Sequence, residues 1–349
     1  PPQNYLHRAN PATGPSFLPP HRHHATRDTT AIEDHANHDD IHPPTRTWYH
    51  HNPAHTPNQL HIVTLNINGK YKQIQNLVQT YLIDNNCSIL LLQDVRASQQ
   101  KWTDDIIPLI KELQCNAYYA GALSHIKYGA RGGVATIFTA DIDQYALIDQ
   151  KAGDFNHGRY ISIPISLPNT DKSRTIIDIT NVYIPAAASR KGPWITAANA
   201  QVTRLSKLTE INDHIKHRFS TNTNLLDHHV HYNIVGGDFN AAPQTKDRFD
   251  IASRKPTNMQ HTYDTWKHAT WRTLLSLGAT DTLKDDVVWT RSLNLKTGSR
   301  IDQFYTTLPH DIFPYTSAVA PIDQHRSFTD HRAVVLSIPM LAALEPTST

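Results

Sequence analysis

Long apolar runs are missing from this chain. No stretch approaches the ~18 consecutive apolar residues that a membrane-spanning helix needs, and none near the start resembles the apolar core of a secretory signal. No membrane span is expected. Cysteine is nearly absent as well: Cys87 and Cys115 stand alone, with no CxxC pair for zinc and no even set that could form a framework of bridges. Both are expected as core thiols in a reducing, intracellular compartment, mitochondrial or nuclear. Charge of either sign is not in excess, since 33 Lys and Arg face 31 Asp and Glu for a net +2 with histidine neutral. The strong basicity that would by itself mark a nucleic-acid coat is lacking, and a nucleic-acid substrate is neither supported nor excluded by charge. The only methionines are Met259 and Met340 and the chain opens Pro1-Pro2, so upstream sequence is expected to have been removed or left out, a cleaved targeting segment among the options.

What is present divides the chain into three. Residues 1 to 57 carry ten of the 22 prolines and no apolar period, so this Pro/His-rich segment is expected as an extended tail that cannot bury enough surface to fold alone. Its histidines, His21, His23, His24, His50 and His51 among them, are read either as metal ligands or as a solvated tract. Residues 58 to 341 are expected to form one α/β domain, and 342 to 349 a C-terminal tail. Leu60, Ile62, Thr64 and Asn66 alternate with His61, Val63 and Leu65 as in a strand. Ile74, Leu77, Val78, Tyr81 and Leu82 then repeat as one face of a helix, and Ser88 to Leu92 is continuous enough to be buried on both faces. Further strands are expected at Gly133 to Thr139, Tyr160 to Leu167, Ile176 to Ile184, Tyr232 to Gly236, Val287 to Thr290, Ile301 to Thr306 and Ala333 to Ile338. Ala198, Val202, Leu205, Leu208 and Ile215 mark a long helix, and Trp266, Leu274 and Leu275 a shorter one. Many strands and few helices imply two packed sheets with helices outside.

Polar residues recur where these strands end, and strand ends on one rim can gather distant residues into one site. Taken singly, an Asn after a strand reads as a turn residue and an Asp-His pair as surface. Their joint order is more informative. Leu65-Asn66-Ile67-Asn68-Gly69, Leu92-Gln93-Asp94, Asn181-Val182-Tyr183-Ile184-Pro185, Gly236-Gly237-Asp238-Phe239-Asn240, Ser299-Arg300-Ile301-Asp302 and Thr329-Asp330-His331 resemble the successive signatures of the endonuclease/exonuclease/phosphatase superfamily. The closest likeness in motif is to abasic-site endonucleases and the endonuclease domains of non-LTR retrotransposons; Gly132-Gly133-Val134-Ala135 fits the same group. Ser299-Arg300-Ile301-Asp302-Gln303 differs from the Trp-Cys-Asp-Arg type of string in the inositol-phosphate phosphatases, which makes that branch a weaker alternative.

The resemblance implies a DNase I-like fold, a layered α/β sandwich of two mostly antiparallel sheets flanked by helices. It also implies a Mg²⁺-dependent phosphodiesterase cleaving nucleic acid, DNA or RNA, and most like a DNA endonuclease. A hard dication suits a phosphodiester because charge grows on the phosphate in the transition state. By resemblance, Asn66, Asp94 and Asp330 hold Mg²⁺, with Mn²⁺ as a substitute. Asp238 orients or deprotonates water, Asn240 donates to the phosphate, Asp302 fixes the His331 ring, and Tyr183 bonds the phosphate or assists the leaving group. Substrate contacts are expected from Asn68, Arg190, Lys191 and Arg248, with Lys70, Lys72, Lys246, Arg254 and Lys255 as further basic residues in loops after the motifs; ordinary solvated surface is the other reading of these charges. Trp194 could stack on bases, while Trp266 reads as core.

One motif departs from the pattern. Asp94 stands where the family has glutamate, which withdraws the carboxylate by roughly 1 to 1.5 Å against Mg²⁺ bonds of about 2.1 Å. The departure keeps a second reading open: a domesticated, catalytically weak or inactive nuclease fold acting as a structural or RNA-binding subunit of a large ribonucleoprotein, joined to its partner through residues 1 to 57.

Overall fold

The computed structural model describes residues 59–125, 129–147, 158–168, 174–184, 197–221, 229–243, 247–257, 270–283, 288–292, 295–321 and 324–339. The tail of residues 1 to 57, the segment 342 to 349, and Arg190, Lys191, Trp194, Lys246 and Trp266 lie outside them. No helix among the described residues is long and apolar enough to cross a membrane.

Strands β1 (Gln59–Asn66), β2 (Ile89–Gln93), β3 (Cys115–Ala120), β6 (Val134–Thr139), β14 (Thr316–Val319) and β15 (Val334–Pro339) form one six-stranded sheet in the order β14-β15-β1-β2-β6-β3. Strands β7 (Tyr160–Pro168), β8 (Arg174–Tyr183), β9 (His229–Asp238), β11 (Thr280–Asp281) and β13 (Asp302–Thr306) form a five-stranded sheet ordered β11-β13-β9-β8-β7. Two short antiparallel pairs, β4 (Leu123–His125) with β5 (Gly129–Arg131) and β10 (Arg248–Asp250) with β12 (Thr297–Ser299), stand apart. Both large sheets are antiparallel except for one parallel pair each, β1 with β2 and β8 with β9. The expected two mostly antiparallel sheets are therefore what forms.

Alternation along the strands makes the layers. On β1 and β2, Leu60, Ile62, Ile89 and Leu91 face the second sheet, where they meet Ile163, Ile177, Ile179, Ile234 and Phe304. Their neighbours Val63, Leu65, Leu90 and Leu92 face outward. There they are covered by α1 (Ile74–Val78), its π-helical continuation Gln79–Asp84, and a second helical stretch, α2 (Gln99–Lys101) running through a π turn into α3 (Ile107–Glu112). A short α4 (Ala140–Asp143) follows β6. The long α5 (Ala197–Thr221) buries Leu208, Ile211 and Ile215 and, with Leu274 of α6 (Thr270–Ser276), covers the outer face of the second sheet. The result is helix, sheet, sheet, helix.

Gln93 and Asn181 are polar side chains that cross between the sheets. Gln93 of β2 donates to Thr64 Oγ1 at 2.8 Å and to Asn181 Oδ1 at 2.8 Å, while Asn181 of β8 donates to the carbonyls of Ala135 at 2.8 Å and Leu92 at 3.2 Å. These groups are almost fully buried, where a satisfied hydrogen bond is specific because its loss leaves an unpaired dipole.

One expected strand does not form. In place of Val287 to Thr290 there are isolated bridges of Arg291 with Ser299 and with His331, and Val287 is outside the described residues. The Thr290 hydroxyl instead accepts from the backbone N–H of Ile301 and of Asp302, both at 3.0 Å, so this segment braces the start of β13 rather than extending a ladder.

Candidate active site

The topology explains why the motif residues meet. Parallel strands β1 and β2 end side by side, with Asn66 opposite Gln93; β8 and β9 do the same, with Tyr183 opposite Asp238. Strand β13 runs antiparallel to β9 and β15 antiparallel to β1, so each begins at the rim where the others end. Asp302 is the register partner of Asp238, and His331 comes three residues before β15.

Asp238 is at the centre. Its Oδ2 accepts from Asn66 Nδ2 at 2.7 Å and from Asn240 Nδ2 at 3.0 Å, and its Oδ1 accepts from the Asn240 backbone N–H at 2.8 Å. Asn240 has φ +47, which folds its amide back over Asp238 and lets Nδ2 reach the Ile184 carbonyl at 2.9 Å. Burial, reinforced by the charge of Asp302, pushes the Asp238 carboxyl above the ordinary range, while His331 and the Asn66 amide work in the opposite direction.

Beside it, His331 Nδ1 lies 2.9 Å from each oxygen of Asp302. Burial would lower the basicity of this ring, but the Asp302 charge and hydrogen bond outweigh it and raise the pKa to about 9. Nε2, the other nitrogen, is 3.8 Å from Asp330 Oδ1. Tyr183 has its ring under Arg159, whose Cζ is 4.7 Å from the ring centroid. Burial raises its pKa, and the charges of Asp94 and Asp238 add to that, so the phenol stays protonated across the neutral range.

The acids expected to hold metal have other partners. Arg96 reaches back to Asp94 with Nε 3.1 Å from Oδ1 and Nη2 2.5 Å from Oδ2, and the same Nη2 is 3.1 Å from Asn68 Oδ1. Arg291 Nε is 2.8 Å from Asp330 Oδ2. Asn66 Oδ1 accepts the Asn68 backbone N–H at 2.8 Å. Oxygen donors of this kind suit a divalent cation, and Asp238, Asp302 and His331 offer ligand atoms within 4.8 Å of one another, a group that could hold one.

Of the residues expected at the site, Asn66, Asn68, Asp94, Tyr183, Asp238, Asn240, Asp302, Asp330 and His331 are brought together. Arg248 is exposed on β10 and takes no part in these hydrogen bonds. Arg96, Arg159 and Arg291 were not apparent from the motifs, although a basic residue two positions after the motif acid was a legible signal for Arg96. Arg300 is a different case. Its guanidinium is fully buried between Asp247, at 2.9 and 3.2 Å, and Asp281, at 2.9 and 2.8 Å, and so anchors the chain just before Asp302.

No protein-family model matches this sequence, and no curated protein matches it either. Solved structures do. The catalytic domain of APE2 from Xenopus laevis is similar at TM-score 0.57 and 17% identity over 80% of this chain and 92% of that one. The 3′ phosphatase NExo from Neisseria, solved with a product DNA hairpin, is similar at TM-score 0.54 and 19% identity, covering 79% and 98%. An AP endonuclease from Archaeoglobus fulgidus is similar at TM-score 0.53 and 17% identity, also covering 79% and 98%. The DNase I-like sandwich expected from the motifs is thus the fold of this chain.

Proposed function

We propose that this chain is a divalent-metal-dependent phosphodiesterase acting on nucleic acid, with DNA as the favoured substrate. The observation that carries the reading is the hydrogen-bonded set Asn66–Asp238–Asn240 lying beside the Asp302–His331 pair, five residues drawn from the ends of four strands on one rim. The solved structures of similar fold, an AP endonuclease and a 3′ phosphatase holding DNA among them, support the substrate class.

Asn66, Asp94 and Asp330 would hold Mg²⁺ or Mn²⁺, which when bound neutralises charge building on the phosphate. The protein's own groups do the rest. Asp238 is held by three donors and has a raised proton affinity, as suits a group that aligns a water and takes its proton. His331, fixed through Nδ1 by Asp302 and kept protonated, points Nε2 as a donor at a phosphate oxygen. Tyr183 remains a phenol, able to donate to the phosphate or to the departing oxygen.

Cleavage of an abasic duplex, a supercoiled plasmid and single-stranded RNA in Mg²⁺ and in Mn²⁺ tests the reading. Asp238→Asn and His331→Gln are expected to lose about 10²- to 10⁴-fold in rate, the scale of general acid-base and electrostatic help; Asp238→Asn should retain its thermal stability, whereas His331→Gln, which leaves Asp302 buried without its charged partner, should lose some. Asp94→Glu should lower the metal concentration needed for half-maximal rate. The second reading, a weak or inactive fold kept as a structural or RNA-binding subunit of a ribonucleoprotein, has one observation in its favour: Asp94 and Asp330 both already carry an arginine. Wild type and Asp94→Glu both inert, and both failing to bind metal by calorimetry, would hand the site to that reading.

A further inference from the structure

We propose that Arg96 and Arg291 are built-in competitors of the divalent cation, occupying Asp94 and Asp330 and so setting the metal concentration at which the site fills. The inference rests on the phosphodiesterase reading above. Both oxygens of Asp94 are engaged by the Arg96 fork, and Asp330 Oδ2 by Arg291 Nε. A guanidinium so placed supplies the carboxylate with the positive charge that a metal would otherwise bring. A dication approaching the same oxygens meets like-charge repulsion and must displace charge-assisted hydrogen bonds.

The arrangement around Asp94 is constructed by the backbone. Asp94 and Arg96 both sit at φ +54 with Val95 between them, a turn that sends side chains 94 and 96 to the same side. It is pinned by Val95 N–H to the Gly133 carbonyl at 3.1 Å and Arg96 N–H to the Gly132 carbonyl at 2.8 Å. Gly69 leaves the room that Arg96 needs, since a Cβ there would fall 2.6 Å from Arg96 Cδ. Around Asp330, Arg291 is bridged by its backbone to Ser299 and His331, so only its side chain is free to move.

Exposure shows which partner yields. The Asp94 and Asp330 side chains are 6% and 17% exposed, against 43% for Arg96 and 33% for Arg291. The carboxylates are fixed in the wall of the site, whereas each guanidinium can rotate into solvent without opening the core. Metal entry therefore amounts to an exchange of counter-ions.

Calorimetric titration of Mn²⁺ into the full chain, without nucleic acid, tests this independently of cleavage. Arg96→Met and Arg291→Met remove charge and add no oxygen ligand, and each is expected to bind Mn²⁺ at least about tenfold more tightly, with the double variant tighter still. Arg96→Lys keeps the charge and should stay close to wild type, which separates electrostatic competition from a merely structural role. Wild type that binds Mn²⁺ together with Met variants that bind equally or more weakly overturns the competition and leaves the proposed function standing. Absence of Mn²⁺ binding in every variant, with circular dichroism showing each folded, overturns both.

Discussion

His325 shows at the scale of one residue how burial ties this fold to pH. Its Nε2 lies 2.6 Å from the Tyr81 hydroxyl, the ring is 7% exposed, and burial lowers its pKa to about 4. The unfolded chain takes up a proton near pH 6.5, the ordinary histidine value, and the folded chain only near 4. The unfolded state therefore binds more protons in that window, and stability that is complete above pH 6.5 is lost as pH falls toward 4, by on the order of 3 kcal/mol. Urea unfolding midpoints at pH 7.5 and 4.5 should converge in His325→Gln, which keeps a hydrogen-bonding group and removes the titration. An unaltered pH dependence in that variant would remove His325 from the acid response. Asp94 was visible as the motif acid, but its engagement by Arg96 depends on two positive φ angles in a string without glycine, Asp94-Val95-Arg96, and nothing in those residue types announces such a turn.

Among the elements, those whose residues keep a strict period were legible. Strands β1, β2, β6, β7, β8, β9, β13 and β15 and helix α5 all follow the expected segments to within a few residues. Edge strands β3 and β14 carry no such period, because half-exposed residues interrupt their alternation, as in Cys115–Ala120 and Thr316–Val319. The stretch from Gln99 to Glu112 is obscured for a related reason: its helix widens through a π turn, so that Trp102, Ile106 and Ile110 are buried at a spacing of four. The β12–β13 connection depends on a different device, the Asp247–Arg300–Asp281 cluster, which lies wholly inside the protein. Replacing a buried ion pair in full is often tolerated, whereas removing one member strands the others. Arg300→Leu is therefore expected to cost about 3 to 5 kcal/mol, read as a drop in the denaturation midpoint, and the triple change that also makes Asp247 and Asp281 neutral should recover much of it.

For the whole molecule, the relation between the two sheets matters more than either sheet alone. Asn66, Asp94 and His331 belong to the first, Tyr183, Asp238 and Asp302 to the second. The Gln93–Asn181 crossing holds the sheets at one spacing directly below the site. Asn181→Ala would leave the Leu92 and Ala135 carbonyls and the Gln93 amide short of partners, costing about 2 kcal/mol or more. Chemical denaturation should show that loss, and cleavage should fall further than the change in folded population explains, because the two halves of the site would no longer be held in register. A loss of cleavage that tracks folded population alone would confine Asn181 to stability. Strand pairing also fixes where the sandwich begins and ends. Gln59 and Pro339 are register partners on neighbouring strands, at the far end of an eight-residue strand from Asn66, roughly 25 Å away at about 3.3 Å per residue. Strand β1 thus starts, and β15 finishes, at the end of the sheet opposite the candidate site. Joining those two points by a short linker and opening the chain elsewhere would give a circular permutant with its rim unaltered, and cargo fused to either point would hang from the back, clear of the candidate site.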